Sequence, residues 1–138
     1  DRELPGGFLD TLKGELKDKY DEMLQHIRMA WAFQDAGQRG WNLMDQGMEK
    51  MKQLALFAEA LAEDGEALVF RPGKIERVPA LRKALEKAGG DVREALKRHE
   101  QFRNDEELKK HGGIAVKLDL TVRQEAFQAE EIEEWIKE

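Results

Sequence analysis

The chain has 138 residues, of which 38% are charged and 41% hydrophobic, and it contains no cysteine. Its formal net charge of −6, with acids and bases interleaved, argues against a nucleic-acid surface, and the lack of cysteine excludes disulfides and thiolate metal sites. No apolar run is long enough to span a membrane, so we expect one soluble, cytoplasmic domain over residues 1–138.

The first predicted helix extends from Leu9 to Phe33, after the breaker Pro5-Gly6-Gly7. Its apolar residues recur at intervals of three or four, which is the spacing of one helix face. These residues are Leu9, Leu12, Leu16, Tyr20, Met23, Ile27, Ala30 and Trp31. A short turn with two glycines follows, over residues 35–40. So short a connection predicts that the next helix packs antiparallel against the first.

The second predicted helix, from Trp41 to Gly65, has the longest regular pattern in the chain. Its apolar residues form two neighbouring stripes. The first stripe contains Trp41, Met44, Met48, Met51, Ala55, Ala58 and Leu61, and the second contains Leu43, Gly47, Leu54, Phe57 and Leu61. We expect the first stripe, through Met48, Met51, Ala55 and Ala58, to be buried against Met23 and Ile27 of the first helix.

Residues 66–79 are predicted to form a long crossover, because Arg71-Pro72-Gly73 breaks any helix there. The short apolar run Ala67-Leu68-Val69-Phe70 is expected to lie across the bundle. A third helical region begins near Pro79, which is a favourable residue for a first turn.

The third region keeps helical spacing as far as Phe102, but Gly89-Gly90 interrupts its pattern. Asp91 then begins a sequence that resembles a capping box. This local chemistry favours a third helix that is kinked or broken at Gly89-Gly90.

A short helix is predicted at residues 105–111, closed by Gly112-Gly113, and a last helix from Leu118 to Lys137. The chain therefore has four main helices with a long connection between the second and the third. This arrangement predicts an all-α four-helix bundle, built as two helical hairpins joined by a long crossover and almost free of strands.

Several segments resemble bacterioferritin and other ferritin-like proteins. They lie in the second helix, in the crossover, near the end of the chain and at the end of the first helix: residues 49–59 with Gly65, 70–75, 130–135 and 26–29. The resemblance implies a ferritin-like bundle. It also implies a two-fold homodimer that pairs through the first two helices.

Ferritin-like enzymes hold two iron ions with one Glu on each of the first and third helices and a Glu-x-x-His pair on each of the others. No Glu-x-x-His occurs in this chain, and an ammonium or aliphatic side chain cannot replace such ligands. We therefore expect that the metal site is lost, with no ferroxidase activity and no cofactor. The matching positions hold Lys50 and Gln53, Ala129 and Ile132, and Lys87, with Glu15, Leu16 and Lys19 all open for the first helix.

The lysines at these positions could replace the positive charge of the metal. Lys50, Lys87 and Lys19 would then pair with Glu15 or another inward acid, because buried lysines are rare unless they are paired. The alternative is that these positions have rotated towards solvent.

Two further observations keep iron or haem chemistry open. Met51 matches the methionine that holds haem between two bacterioferritin subunits, although a core or interface methionine is the plainer interpretation. An atypical site of carboxylates and histidines is the second. Its candidate iron ligands are Glu22, His26, Glu49, His99 and Glu130.

These observations favour a ferritin-like bundle that has lost its metal site and acts as a structural, assembly or partner-binding protein. One alternative is a bacterioferritin-like protein that handles iron or haem through Met51 or the atypical site. A second alternative is an engineered bundle whose ligands were replaced. Nucleophilic catalysis is unsupported, because the chain has neither serine nor cysteine.

Overall fold

The computed structural model describes residues 7–63, 65, 71 and 73–138, and this part of the chain is all-α, without strands, as predicted. A 3₁₀ turn follows the first helix and leads into the second. The helices are α1 (Phe8–Ala32), α2 (Gln38–Glu63), α3 (Leu81–Arg103), α4 (Glu106–Lys109) and α5 (Gly112–Lys137).

Helices α1 and α2 form the predicted antiparallel hairpin. Gly40 packs closely against the backbone of Phe33, and about two turns further along the pair Gly47 packs against Ile27. A Cβ atom at Gly47 would lie 3.3 Å from Ile27 Cγ1, so this glycine lets the two helices approach closely. The order of these contacts requires the two helices to run in opposite directions.

Helices α3 and α5 form a second antiparallel pair. Arg82 Nη1, at the start of α3, donates to the backbone oxygen of Ile136 at 3.2 Å, near the end of α5. At the other end, Arg103 Nη1 lies 3.8 Å from Asp119 Oδ1.

The apolar side chains buried between the helices of both pairs form two clusters. One contains Leu12, Leu16, Phe57, Leu61, Ile114 and Leu118, and the other contains Leu43, Leu85, Ala88, Val92, Ile132 and Trp135.

The prediction of the buried stripe of α2 was wrong for Met48, Met51 and Ala55, although Ala58 is half-buried against the core. Met48 and Met51 are each 52% exposed, and Ala55 is also exposed. The inward face of α2 is instead the second stripe, which includes Leu54 and Phe57 and shares its face with buried polar residues. These polar residues are Gln46, Lys50 and Gln53. Their inward position turns the methionines outwards, because both sets cannot occupy the same side of one helix.

The predicted break at Gly89-Gly90 was also wrong, since α3 is helical throughout Leu81–Arg103. Gly89 lies against α5, where a Cβ atom would be only 3.1 Å from Ile132 Cγ2. Asp91 does not begin a helix; its carboxylate lies 3.5 Å from Lys87 Nζ, one turn earlier. The glycine therefore permits close packing of two helices and does not end one.

Gly112-Gly113 begins α5 rather than closing the short helix before it. His111 caps the new helix, because its Nδ1 accepts a hydrogen bond from the backbone N–H of Ile114 at 3.1 Å. Helix α5 consequently starts six residues before the predicted Leu118. Histidine is not a usual N-cap residue, so the start of this helix was missed.

The described part of the crossover is held against α1. The side chain of Gln25 makes two hydrogen bonds with the backbone of Glu76, at 2.8 and 2.9 Å. Asp21 Oδ1 accepts a third, from the N–H of Gly73 at 2.7 Å. The apolar run at residues 67–70 lies outside the described residues. None of the described helices is long and apolar enough to cross a membrane.

Candidate functional site: a buried network of charged side chains

Six ionisable side chains from the four long helices meet between the two apolar clusters, and we call them the central network. All six are buried. Buried charged groups are costly unless they are paired, so their contacts decide what this region can do. The central network consists of Glu15, Lys19 and Glu22 of α1, Lys50 of α2, His99 of α3 and Glu125 of α5.

His99 bridges two carboxylates. Its Nδ1 lies 2.6 Å from Glu125 Oε1, and its Nε2 lies 2.7 Å from Glu15 Oε1. Because carboxylate oxygens only accept hydrogen bonds, both ring nitrogens must donate, which requires the protonated imidazolium. Burial lowers the pKa of His99, but the hydrogen bonds to Glu125 and Glu15 outweigh burial and raise it. The ring therefore cannot offer a lone pair to a metal ion.

Lys19 lies within the same network and is 1% exposed. Its Nζ donates to Glu125 Oε2 at 2.7 Å and lies 3.2 Å from Glu22 Oε2. Burial lowers the pKa of the ammonium, but the two carboxylates raise it further than burial lowers it. Lys19 is consequently a permanent cation at the centre of the protein.

Lys50 is fully buried and less well compensated than Lys19. Its Nζ donates to Gln128 Oε1 at 3.3 Å and lies 3.8 Å from Glu22 Oε1. Burial, and next the neighbouring Lys19 ammonium, lower the pKa of Lys50 to about 8. Below that pH the network has three carboxylates and three cations, so its charges balance.

The Glu125 carboxylate accepts hydrogen bonds from Lys19 of α1 and from His99 of α3. Burial raises the pKa of its carboxyl, but the Lys19 ammonium and the hydrogen bond from His99 lower it to about 2. Glu15 behaves similarly: burial raises its pKa, while hydrogen bonds from His99 and Arg98 lower it overall. Both carboxylates are thus ionised throughout the neutral range and committed to protein donors.

Four glutamines line the contact between α2 and α5 beside the network. Gln53 Nε2 donates to Gln124 Oε1 at 3.1 Å, and Gln46 Nε2 donates to the backbone oxygen of Gln128 at 3.1 Å. The side chain of Gln128 also donates to Glu49 Oε2 at 2.9 Å. These neutral groups extend the polar region without adding charge.

The candidate ligands named from the sequence do not form one site. Glu22 and His99 belong to the central network, whereas His26 is buried one turn after Glu22, with Nδ1 donating to the Glu22 backbone oxygen at 3.0 Å. Burial, and next the Lys50 ammonium, lower the pKa of His26 to about 3, so this ring is neutral. Glu49 bonds Gln128 at the edge of the network, and Glu130 is exposed on α5.

The residues matched to the ligands of the ferritin-like metal site do not all lie at the central network. Lys50 and Gln53 are fully buried beside the network. Lys87 is not: its Nζ pairs with Glu76 and Asp91, each at 3.5 Å, near the surface. Ala129 and Ile132 belong to an apolar cluster with α3.

Sequence reasoning missed Glu125 and Gln128, the polar pair that α5 brings to the centre. They are three residues apart and therefore share one face of the helix. Both are fully buried. The available signal was the position of these polar residues on the same face as Leu118 and Ile132, inside an otherwise apolar stripe.

A polar cavity of about 270 Å³ lies between α1 and α3 at the edge of the network. Its walls carry charges of both signs, and several are already paired: Arg98 lies 3.7 Å from Asp18, and Lys87 lies 3.5 Å from Asp91.

Across the described residues, no three His, Asp or Glu side chains are grouped so as to hold a metal ion.

No protein-family model matches the chain, and no curated protein matches it. The geometry of this region is a set of buried ion pairs and hydrogen bonds, in which the Glu15 and Glu125 carboxylates accept from imidazolium and cationic donors. Within the described part of the chain, Glu22 is held by ion pairs alone, and neither of its carboxylate oxygens makes a hydrogen bond.

Proposed function

We propose that this chain is a ferritin-like helical bundle that has lost its dinuclear metal site and acts as a structural, partner-binding protein, without ferroxidase activity. The observation that carries the proposal is the position of Lys19 and Lys50. Their ammonium groups lie 3.2 and 3.8 Å from the Glu22 carboxylate in the buried centre of the bundle.

The directions of the helices support the ferritin-like assignment. On α2, Gln53 contacts Gln124 of α5, and the earlier residue Lys50 contacts the later residue Gln128. Residue numbers therefore fall along α5 as they rise along α2, so these two helices are antiparallel. Because α3 is also antiparallel to α5, α2 and α3 run in the same direction. Two such helices can be joined only by a connection that returns along the bundle, as in ferritin-like folds.

The spacing of the central polar residues also supports it. Lys50 and Gln53 on α2, and Glu125 and Gln128 on α5, are two pairs three residues apart that meet at the centre. Ferritin-like enzymes use this spacing on the same two helices for Glu-x-x-His. In this chain the first pair is Lys-x-x-Gln and the second is Glu-x-x-Gln. On α5 this pair takes the place of Ala129 and Ile132, which were matched to the ligands from the sequence and lie in an apolar cluster.

The replaced groups explain why iron chemistry is not expected. Two ammonium groups repel a divalent cation, and they already neutralise Glu22 and Glu125, the carboxylates that would otherwise attract it. Amide side chains at positions 53 and 128 replace imidazole, which is the better ligand for iron. The network therefore stabilises the bundle as a set of ion pairs.

Self-association provides the partner-binding part of the proposal. The indoles of Trp31 and Trp41 are 60% and 61% exposed, and the exposed Met48 and Met51 continue this surface along α2. Contiguous apolar surface of this kind marks interaction sites. We expect a two-fold homodimer through α1 and α2, and a monomeric mass by light scattering at micromolar concentration would contradict it.

Restoring the ligands tests the ferritin-like assignment itself. The variant Lys19→Glu/Lys50→Glu/Gln53→His/His99→Glu/Gln128→His would place a Glu on each of α1 and α3 and Glu-x-x-His on each of α2 and α5. If the positions correspond, this variant should acquire tight iron or cobalt binding that wild type lacks. A control with the same changes at Lys19, Lys50 and His99 but with both glutamines kept should bind more weakly. A folded variant that binds no metal would refute the correspondence.

A further inference from the structure

We infer that the partner of the exposed face of α2 is the same face of a second copy, packed antiparallel, with Asp45 of each copy paired to Lys52 of the other. This inference rests on the self-association proposed above and specifies its register. It is carried by the side chains along the outer face of α2, which we call the seam. The seam consists of Trp41, Met44, Met48, Met51 and Ala55.

The seam residues recur at intervals of three, four, three and four. This is the spacing of the a and d positions in a coiled coil, which keeps one narrow stripe facing a partner helix. Trp41, Met48, Met51 and Ala55 are exposed, and Met44 is half-buried. The seam is therefore shaped for another helix and has none along it within the described part of the chain.

The sizes of the seam residues favour an antiparallel partner. The first half of α2 presents the bulky Trp41 and Met44, whereas the second half presents small residues, exposed Ala55 and Ala62. Antiparallel packing sets each large half against a small half, so Trp41 of one copy covers Ala55 of the other. Parallel packing would oppose indole to indole and alanine to alanine, which leaves gaps.

The charges at the edge of the seam favour the same arrangement and fix its register. Asp45 and Lys52 lie three residues before and four residues after Met48, on one edge of the helix. Both are exposed, and neither forms an ion pair among the described residues. With the two-fold axis beside Met48, Asp45 of each copy faces Lys52 of the other, which creates two identical ion pairs. In parallel packing this edge of one helix faces the opposite edge of its partner, so Asp45 could not pair with Lys52 of the other copy.

Helix α1 covers the opposite edge of the seam. Gly47, on the edge away from Asp45, packs against Ile27 of α1. The exposed Trp31 lies at the same end, where Trp31, Trp41 and Met44 line a small groove of about 60 Å³ together with Ala30, Gln34 and Gly40. The interface would thus be apolar at its centre, along the seam, and on the side of α1. The two ion pairs would lie at the opposite edge, which faces solvent.

This register has a consequence for haem. With Met48 beside the axis, Met51 of one copy lies opposite Met44 of the other and not opposite its own equivalent. Two Met51 sulfur atoms are then unable to face each other across one porphyrin, as shared axial ligation requires. The inferred dimer therefore uses Met51 as a packing residue.

Charge reversal tests the register directly. In the Asp45→Lys variant, two lysines face each other at each of the two contacts between positions 45 and 52. In the Lys52→Asp variant, two aspartates face each other there. Each variant should therefore homodimerise more weakly, on the order of tenfold in Kd, because like charges are brought together. When the two variants are mixed, both contacts become attractive again, so a heterodimer should form with near wild-type affinity.

The measurement is sedimentation velocity on the separate and mixed variants, one of them carrying a fluorescent label. A matched control mixes Lys83→Glu with Glu100→Lys, which reverse exposed charges on α3. That control pair should dimerise like wild type and show no preference for the heterodimer. Circular dichroism should be unchanged in all four variants, since every altered side chain is exposed.

The outcomes separate the register from the proposed self-association. A preferred heterodimer from the Asp45→Lys and Lys52→Asp mixture supports the inference. A wild-type dimer whose reversed variants neither weaken nor pair selectively overturns the register while leaving self-association intact. A monomeric wild type overturns both, and leaves the loss of the metal site to be judged separately.

Discussion

The ammonium nitrogen of Lys19 lies 2.7 Å from Glu125 Oε2, and this contact joins the first and last long helices across 106 positions of the chain. Both side chains are fully buried, and Glu125 simultaneously accepts a hydrogen bond from His99 of α3. One carboxylate thereby connects three helices. The pair therefore acts as a structural cross-link at the buried centre of the protein.

Removing one member of this pair should be strongly destabilising. Lys19→Met leaves the Glu125 and Glu22 carboxylates buried with less compensation, and breaking a buried ion pair costs about 3–5 kcal/mol. The free energy of unfolding from urea denaturation provides the measurement. Lys17→Met is the matched control, because Lys17 is exposed and pairs with Asp21 only at the surface. A loss of less than about 1 kcal/mol for Lys19→Met would contradict the central role of the network.

Acid should destabilise the protein from about pH 6.5 downwards because of His26. Its pKa is about 3 in the folded state and 6.5 ordinarily, so the unfolded chain binds the proton first and stability falls as pH falls through this window. Between pH 6.5 and 4.5 the loss should reach about 2 kcal/mol. His26→Gln should abolish this slope. If the variant keeps the wild-type dependence, His26 is not buried in its neutral form.

Glu125 should add a second, more acidic phase. Its folded pKa of about 2 lies below the ordinary value of 4.5, so its stabilising contribution is complete above pH 4.5 and is lost as pH falls towards 2. Unfolding free energies measured at pH 5, 4 and 3 should show this loss in wild type. Glu125→Gln should begin less stable and change less over the same range. An equal change in both proteins would argue against a lowered pKa.

The two adjacent glycines of α3 should respond differently to alanine. A Cβ atom at Gly90 would meet nothing within 4 Å, so Gly90→Ala should stabilise the helix by about 0.5–1 kcal/mol. Gly89→Ala should gain less or destabilise, because its Cβ would lie 3.1 Å from Ile132 Cγ2. Thermal and urea unfolding can rank the two variants. Destabilisation by Gly90→Ala would indicate that α3 is interrupted at this point.

Met48→Asp should separate stability from association. Because Met48 is exposed, the change should alter monomer stability by less than about 0.5 kcal/mol, as is usual for surface substitutions. Dimerisation should nevertheless be lost, since two carboxylates would meet beside the two-fold axis. Unfolding at nanomolar concentration and sedimentation at micromolar concentration measure the two effects. Unfolding of the monomer by this single change would restore the original assignment of Met48 to the core.

The helices themselves could be predicted from apolar spacing, but the inward face of α2 could not. The exposed stripe is the more regular of the two in the sequence, and only the partners of Lys50 and Gln53 decide which stripe is buried. Those partners lie on α1 and α5, far away in the chain. A hydrophobicity pattern assigns lysine to the surface, so it fails where charges are compensated by distant residues.

The glycines led to two errors for a similar reason. Gly89-Gly90 has the local chemistry of a helix end, yet contact with Ile132 of α5 maintains one helix through it. Gly112-Gly113 looks like a stop signal, yet His111 caps the helix that begins there. In each case a tertiary or unusual capping contact overrides the local preference.

Iron binding by the wild-type protein tests the central claim most directly. The measurement is iron content after anaerobic incubation with ferrous iron and desalting, followed by the rate of ferrous oxidation in air. With Lys19 and Lys50 in the central network, we expect no stoichiometric iron and an oxidation rate equal to that of buffer. Two tightly bound iron or manganese ions per chain would contradict the account, and would identify Glu22, His26, Glu49, His99 and Glu130 as the ligands to mutate first.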